Sequence, residues 1–339
     1  MKTAAVSSCG LLATLALLLA SPALAAIAGT VINRTTGQPQ PGAAVALNKV
    51  TQNGMEPNGE TKSDAQGKFS LDQQVEGPNL LRVTFDGVTY NSVLSPGAPS
   101  TNLTVDVYAA SLQPGSAKVS KHMLLFQPGN GQMTVNETYL YTNPGKTSWN
   151  DPDHGTLHFF LPAAAKGKAE VHATAPGGMP VDATAAKTAQ PDLWAVDFAV
   201  KPGETRFDVN YTLPYTNGQA YSGKIVTADD NTYLIAPNGI TLTGAGLTDL
   251  GTEPRTQAHI FGFTGKVYKI QLTGTEAPTP ATDSSAAQQD SGPQIEQILP
   301  RVNGKAVLIL SLALGALALG FALLYRAPVP KESDERGRR

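Results

Sequence analysis

Many short runs between residues 27 and 274 alternate apolar and polar residues with a period of two, which predicts strands with one buried face. Leu81, Val83 and Phe85 alternate with Arg82 and Thr84, and Leu103, Val105 and Val107 with Thr104 and Asp106. Further along, Trp194, Val196, Phe198 and Val200 alternate with Ala195, Asp197 and Ala199, and Phe207, Val209, Tyr211 and Leu213 with Arg206, Asp208, Asn210 and Thr212. Between these runs, K201-P-G-E and Y215-T-N-G are turn signals. One position resists the pattern: Met133, Val135, Glu137, Tyr139 and Tyr141 share a face, so Glu137 falls in an apolar phase. A bulge or an edge position is the reading preferred for it, a functional buried carboxylate the alternative.

The two ends of the chain follow other rules. Lys2, the apolar run Leu11–Ala20 and the small residues of Ala23-Leu24-Ala25 form the three parts of a secretory signal over residues 1–25, with cleavage expected after Ala25. Residues 306–324 contain no charge and predict a single transmembrane helix over 305–325, since about 20 apolar residues at ~1.5 Å each cross a bilayer core. A buried core helix is the alternative, disfavoured because Ser311 is the only clearly polar residue to mark a second face. A basic tail over 326–339 agrees with a cytoplasmic C-terminus. The expectation is a single-pass protein of the inner (plasma) membrane, with its bulk periplasmic or extracellular. Residues 275–300, rich in Pro, Ser and Ala, read as a disordered linker. At its end Leu299-Pro300-Arg301-Val302-Asn303-Gly304 resembles a sortase signal, but Val302 and Asn303 stand where its Thr and Gly are needed, so a juxtamembrane linker is preferred.

Composition sharpens the fold class. With 33 Gly, 25 Pro, 15% charged residues and no long helical periodicity outside 306–324, the exported part is all-β. Its length suggests two β-sandwich domains in tandem, over 26–110 and 114–274. The second is read as one sandwich of about ten strands, or as two smaller sheets packed together. The only cysteine, Cys9, leaves with the signal, so the mature chain has no thiolate and no internal disulfide.

In residues 26–109 the ordered motifs G-x-V, T-G-x-P, G-A-x-V-x-L and D-x-x-G-x-F are carried by Gly29, Val31, Thr36, Gly37, Pro39, Gly42, Ala43, Val45, Leu47, Asp64, Gly67 and Phe69. This stretch resembles the carboxypeptidase regulatory-like domain, a transthyretin-like β-sandwich sometimes grouped with carbohydrate-binding-like folds. The resemblance implies a non-catalytic accessory module and transfers no functional residue, because the matched positions are turn and core residues. The segment from Val50 to Glu60 departs from the family pattern and reads as a hairpin connection or, alternatively, a recognition loop.

Candidate chemistry is sparse. The chain has no G-x-S-x-G elbow, no H-E-x-x-H and no phosphate-binding G-x-x-x-x-G-K followed by Ser or Thr. Asp151, Asp153, His154 and His158 lie close in sequence and are candidate metal ligands. On an extended strand, however, His154 and His158 stand about 13 Å apart, and Asn-Asp-Pro-Asp is turn composition, so no metal or cofactor is expected. His122, Met123 and Met133 are weaker candidates for copper. Sequons at Asn33, Asn102, Asn136 and Asn210 are read as coincidence in a bacterial sequence. A net charge of −2 offers no field for nucleic acid. Two function classes remain: a non-catalytic interaction or scaffold module of the bacterial envelope with a protein partner, or a carbohydrate-binding or sensing surface. The second would use exposed Trp149, Tyr215 and Tyr221.

Overall fold

The structure is a computed structural model and describes residues 27–274 apart from 53, 74, 76 and 228–231. The expected signal peptide, linker, transmembrane helix and basic tail lie outside the described residues. Among the described residues no helix is long and apolar enough to cross a membrane.

The first β unit comprises β1 (Ile27–Asn33), β2 (Gln38–Pro39), β3 (Ala44–Thr51), β4 (Gly54–Lys62), β5 (Lys68–Leu71), β6 (Asn79–Phe85), β7 (Val88–Leu94) and β8 (Leu103–Val107). β1 pairs with β2, β5 and β8, the last in parallel, and a second sheet runs β4-β3-β6-β7. Inward residues of both sheets form one apolar core that includes Ile27, Val31, Val45, Leu47, Phe69, Leu71, Leu81, Val83, Val105 and Val107. The expected alternation therefore sets both inner faces of a sandwich.

Turn chemistry fixes the register. Asp64 Oδ1 accepts from the backbone N–H groups of Gln66 and Lys68 at 2.9 and 2.8 Å. Gly67 closes this turn at φ +72°, where a Cβ would meet Pro39 and the Val31 carbonyl. Asp86 and Gly87, both at positive φ, join β6 to β7 with the two-residue geometry favoured in hairpins. The segment from Val50 to Glu60, read from sequence as a connection or loop, is mostly strand: it holds the end of β3 and most of β4, an edge strand whose Pro57 suits an edge.

β9 (Ala110–Ser111) lies in the link that follows the first unit, and the second β unit contains β10 (Lys118–Gly129), β11 (Gln132–Asn143), β12 (Ser148–Trp149), β13 (Leu157–Phe160), β14 (Glu170–Thr174), β15 (Val181–Ala183) and β16 (Ala185–Lys187). It continues with β17 (Leu193–Val196), β18 (Gly203–Pro214), β19 (Ala220–Lys224), β20 (Thr232–Ala236), β21 (Ile240–Gly244), β22 (Leu247–Thr252), β23 (His259–Phe263) and β24 (Val267–Gly274). One eight-stranded sheet runs β15-β14-β18-β11-β10-β20-β23-β22. Two three-stranded sheets, β13-β17-β16 and β19-β24-β21, share its core: Phe159 and Val196 from the first and Leu242 and Ile270 from the second cluster with Phe126, Val135, Tyr139 and Phe207. The unit is thus larger than the expected ten strands and organised around one dominant sheet. Its central hairpin turns at Asn130-Gly131, again with both residues at positive φ.

Two sequence expectations need correction here. The alternation read through 194–200 breaks, because β17 ends at Val196 and leaves Trp194 and Phe198 only half-buried. Glu137 sits neither at an edge nor in a bulge. It lies in β11, between β18 and β10 in the large sheet, and the register shift falls in the partner strand, between Val119 and Lys121.

Candidate functional site

The sequence-nominated cluster forms a capped turn. The His154 N–H donates to Asp151 Oδ1 at 3.1 Å, the Gly155 N–H reaches the Asp151 carbonyl at 2.8 Å, and the His154 ring Nδ1 lies 3.1 and 3.2 Å from the two Asp151 carboxyl oxygens. Burial raises the Asp151 pKa, but the His154 hydrogen bonds outweigh it and the carboxyl is held below its usual range. Gly155 at φ +79° bends the chain, so His154 and His158 both reach the rim of one depression of about 500 Å³ together with Asp153. Burial lowers the pKa of the His158 imidazole, which sits on β13. Among the described residues no three His, Cys, Asp or Glu side chains converge as a metal group. The turn is explained by its own hydrogen bonds.

The aromatic candidates divide. Trp149 is not solvent-facing: it is half-buried against Tyr141, ring centroids 6.1 Å apart, with its indole N–H enclosed. Tyr215 and Tyr221 do form a near-parallel pair, centroids 6.3 Å apart and planes 12° from parallel, beside the end of β18. The Tyr221 hydroxyl donates to the Pro214 carbonyl at 2.9 Å, which fixes the ring.

A buried polar network occupies the inner face of the large sheet. His122 Nε2 lies 2.7 Å from Glu137 Oε1, and the Tyr139 hydroxyl donates to the same oxygen at 2.6 Å. The His122 ring stacks on Tyr139 at 4.1 Å. His122 and Glu137 are 0% and 2% exposed, and Glu137 Oε2 has no hydrogen-bond partner among the described residues. Burial and then the nearby Glu137 push the Tyr139 and Tyr211 hydroxyls well above their usual pKa, and Tyr268, hydrogen-bonded with Tyr211, moves the same way. Of the copper candidates, His122 and Met133 face this core, while Met123 occupies the opposite phase of β10. The network is closed off from solvent and makes an internal tie between β10 and β11 rather than a ligand site. The apolar phase of Glu137 was its only sequence signal.

Sequence reasoning missed the junction between the two β units. β9 pairs in parallel with β12, through Ser148 with Ala110 and Trp149 with Ser111, and Trp149 bridges on to Val200. The Tyr90 hydroxyl of the first unit lies 3.0 Å from both the Tyr108 carbonyl and Ser148 Oγ. Thr35 donates to the Lys146 carbonyl, and Ala199 packs against the first unit's core. From the β17–β18 turn, Lys201 extends its ammonium to the Thr89 carbonyl and over the Tyr90 ring, 4.9 Å from its centroid. Burial alone pushes the Lys201 pKa down to about 8. Shallow depressions of about 370 and 300 Å³ flank this amine. The junction can transmit position between the units; its chemistry is that of a desolvated amine, carbonyls and hydroxyls.

Comparison with known proteins bears on the first unit. Residues 26–109 match the carboxypeptidase regulatory-like domain, as their motifs suggested. That domain is a non-catalytic type of module. No curated protein matches the chain. Similar solved structures include an M1 zinc metallopeptidase from Deinococcus radiodurans, 12% identical over 46% of this chain and 42% of that one, with a TM-score of 0.25. Another is the native LTA4 hydrolase of yeast, 9% identical over 48% of this chain and 30% of that one, with a TM-score of 0.30. In each case the match spans less than half of the other chain, and overlap at these scores carries no argument about activity.

Proposed function

We propose that the protein is a membrane-anchored, extracytoplasmic, non-catalytic interaction module of the cell envelope, which presents two coupled β units to a protein partner. The observation that carries this reading is the junction. A regulatory-like sandwich is joined to a larger β unit through a paired mini-sheet, a buried Tyr90–Ser148 contact and the Lys201 clamp, so that surfaces on both units keep a common geometry. Pre-set geometry lowers the entropy lost on docking, and a tether raises the effective concentration near a membrane partner. The sequence features of residues 1–25 and 305–325 supply export and anchorage in this reading.

The test is cross-linking in intact cells followed by detergent extraction. The natural chain should capture a defined partner, and one with Lys201→Ala and Tyr90→Phe, which lacks the clamp and the Tyr90–Ser148 contact, should lose most of it while both units stay folded. Equal capture by both chains would contradict the reading. The Tyr215–Tyr221 pair favours a second one, a carbohydrate-binding surface, because parallel aromatic faces suit a sugar ring. Saturable oligosaccharide binding lost in Tyr221→Ala would select it.

A further inference from the structure

Lys201 differs from an ordinary surface lysine in its setting. Its amine stands where the two β units meet, half-buried, with Gly87, Thr89, Asn150 and Asp197 lining a depression on one side and Ser92, Asp106, Tyr108 and Pro176 lining one on the other. Among the described residues it has no ion-pair partner: Asp106 is taken by Arg34 at 2.8 Å, and Asp197 is not engaged with it. Its contacts are the Thr89 carbonyl, which accepts an N–H, and the Tyr90 ring face. A neutral amine keeps the first contact, since it still has N–H groups to donate. Its lone pair is then free to point into a depression.

We propose that Lys201 is a modification site, an amine that condenses selectively with small aldehydes, including the open-chain form of a reducing sugar, admitted through the depressions beside the junction. The nitrogen lone pair adds to the aldehyde carbon, and a proton passes from nitrogen to the carbonyl oxygen to give a carbinolamine. Loss of water then leaves the imine, with no oxidant or reductant required. Depressions of about 370 and 300 Å³ leave ample room for a small aldehyde beside the amine. Because burial lowers the Lys201 pKa to about 8, a useful fraction of the amine is unprotonated near neutral pH, the condition for a nucleophilic lysine. An adduct would fill space beside Tyr90 and thereby load the contact that couples the two units.

The proposal is tested on the full chain with glyceraldehyde and cyanoborohydride at limiting dose and pH 7. The reductant traps the imine, and peptide mass spectrometry reads the modified residues. Lys201 should react at least about tenfold faster than the median lysine, the factor carried by a single unit of pKa. The preference should vanish when the protein is unfolded in urea, and Lys201→Arg should remove only that adduct. A rate at or below the median in the folded protein, or a preference that survives urea, would overturn the proposal.

Discussion

The first sandwich and the large sheet of the second unit solve the same problem with different interiors. The first buries an apolar core drawn from both of its sheets, and the polar side chains buried beside it, Asn33, Ser63 and Asn79, are uncharged. The large sheet places His122 and Glu137 among its most buried residues, on adjacent central strands. Apolar burial tolerates many arrangements of similar volume. A buried carboxyl group whose one bonded oxygen is shared by His122 and Tyr139 tolerates few, because any slip leaves hydrogen-bonding groups unpaired. We infer that the pair contributes to the register of β10 against β11, where a shift at Ser120 would otherwise permit alternatives.

Substitutions can break this comparison. Phe69→Ala should cost about 3–5 kcal/mol in the first core through lost burial and a cavity. His122→Ala should cost about as much in the second, but for a different reason, since it strands Glu137 in the sheet. The two mechanisms separate in a double variant: adding Glu137→Leu to His122→Leu should recover much of the loss seen with His122→Leu alone, measured by urea denaturation. If the losses simply add, the network is not coupled.

A smaller effect belongs to Lys201. Its pKa is depressed in the folded state to about 8 from 10.5, so between these values the unfolded chain binds more protons and stability rises with pH. Relative to Lys201→Met, the natural protein should gain up to about 3 kcal/mol between pH 8 and 10.5 and lose that gain on return through pH 8. A flat difference across that window would mean the amine is better solvated than its setting indicates. The smallest effect is expected from His154→Ala with His158→Ala. Both rings lie at the rim of a depression, so melting temperature and the response to added zinc should change little. A zinc-induced rise in melting temperature that is lost in this double variant would instead make Asp151, Asp153, His154 and His158 a metal site.

Much of the fold was legible in alternation alone. Val45, Leu47, Phe69, Leu81 and Val83 in the first unit, and the inward sets of β11 and β18 in the second, could be placed without structure, because a period of two leaves little freedom once one face is buried. Asp86-Gly87 and Asn130-Gly131 were strong hairpin signals and passed unused. Glu137 was visible as an exception, but its partner was not. Counting back from the Asn130-Gly131 turn places His122 opposite Tyr139, so the pairing was lost with that unused turn signal, and the irregularity at Ser120 lies beyond it. The junction was illegible for a related reason. Tyr90, Ser148 and Lys201 are far apart in sequence, and each looks locally like an ordinary strand or turn residue.

The central claim is that the two β units act as one body. Cys9 is the only cysteine and belongs to the expected signal, so cysteines introduced at exposed Arg82 and Thr212 can carry spin labels cleanly. Double electron–electron resonance on this labelled protein should give one narrow distance distribution, which broadens when Lys201→Ala and Tyr90→Phe remove the contacts made by these side chains across the junction. A distribution already broad in the unsubstituted chain would contradict the account.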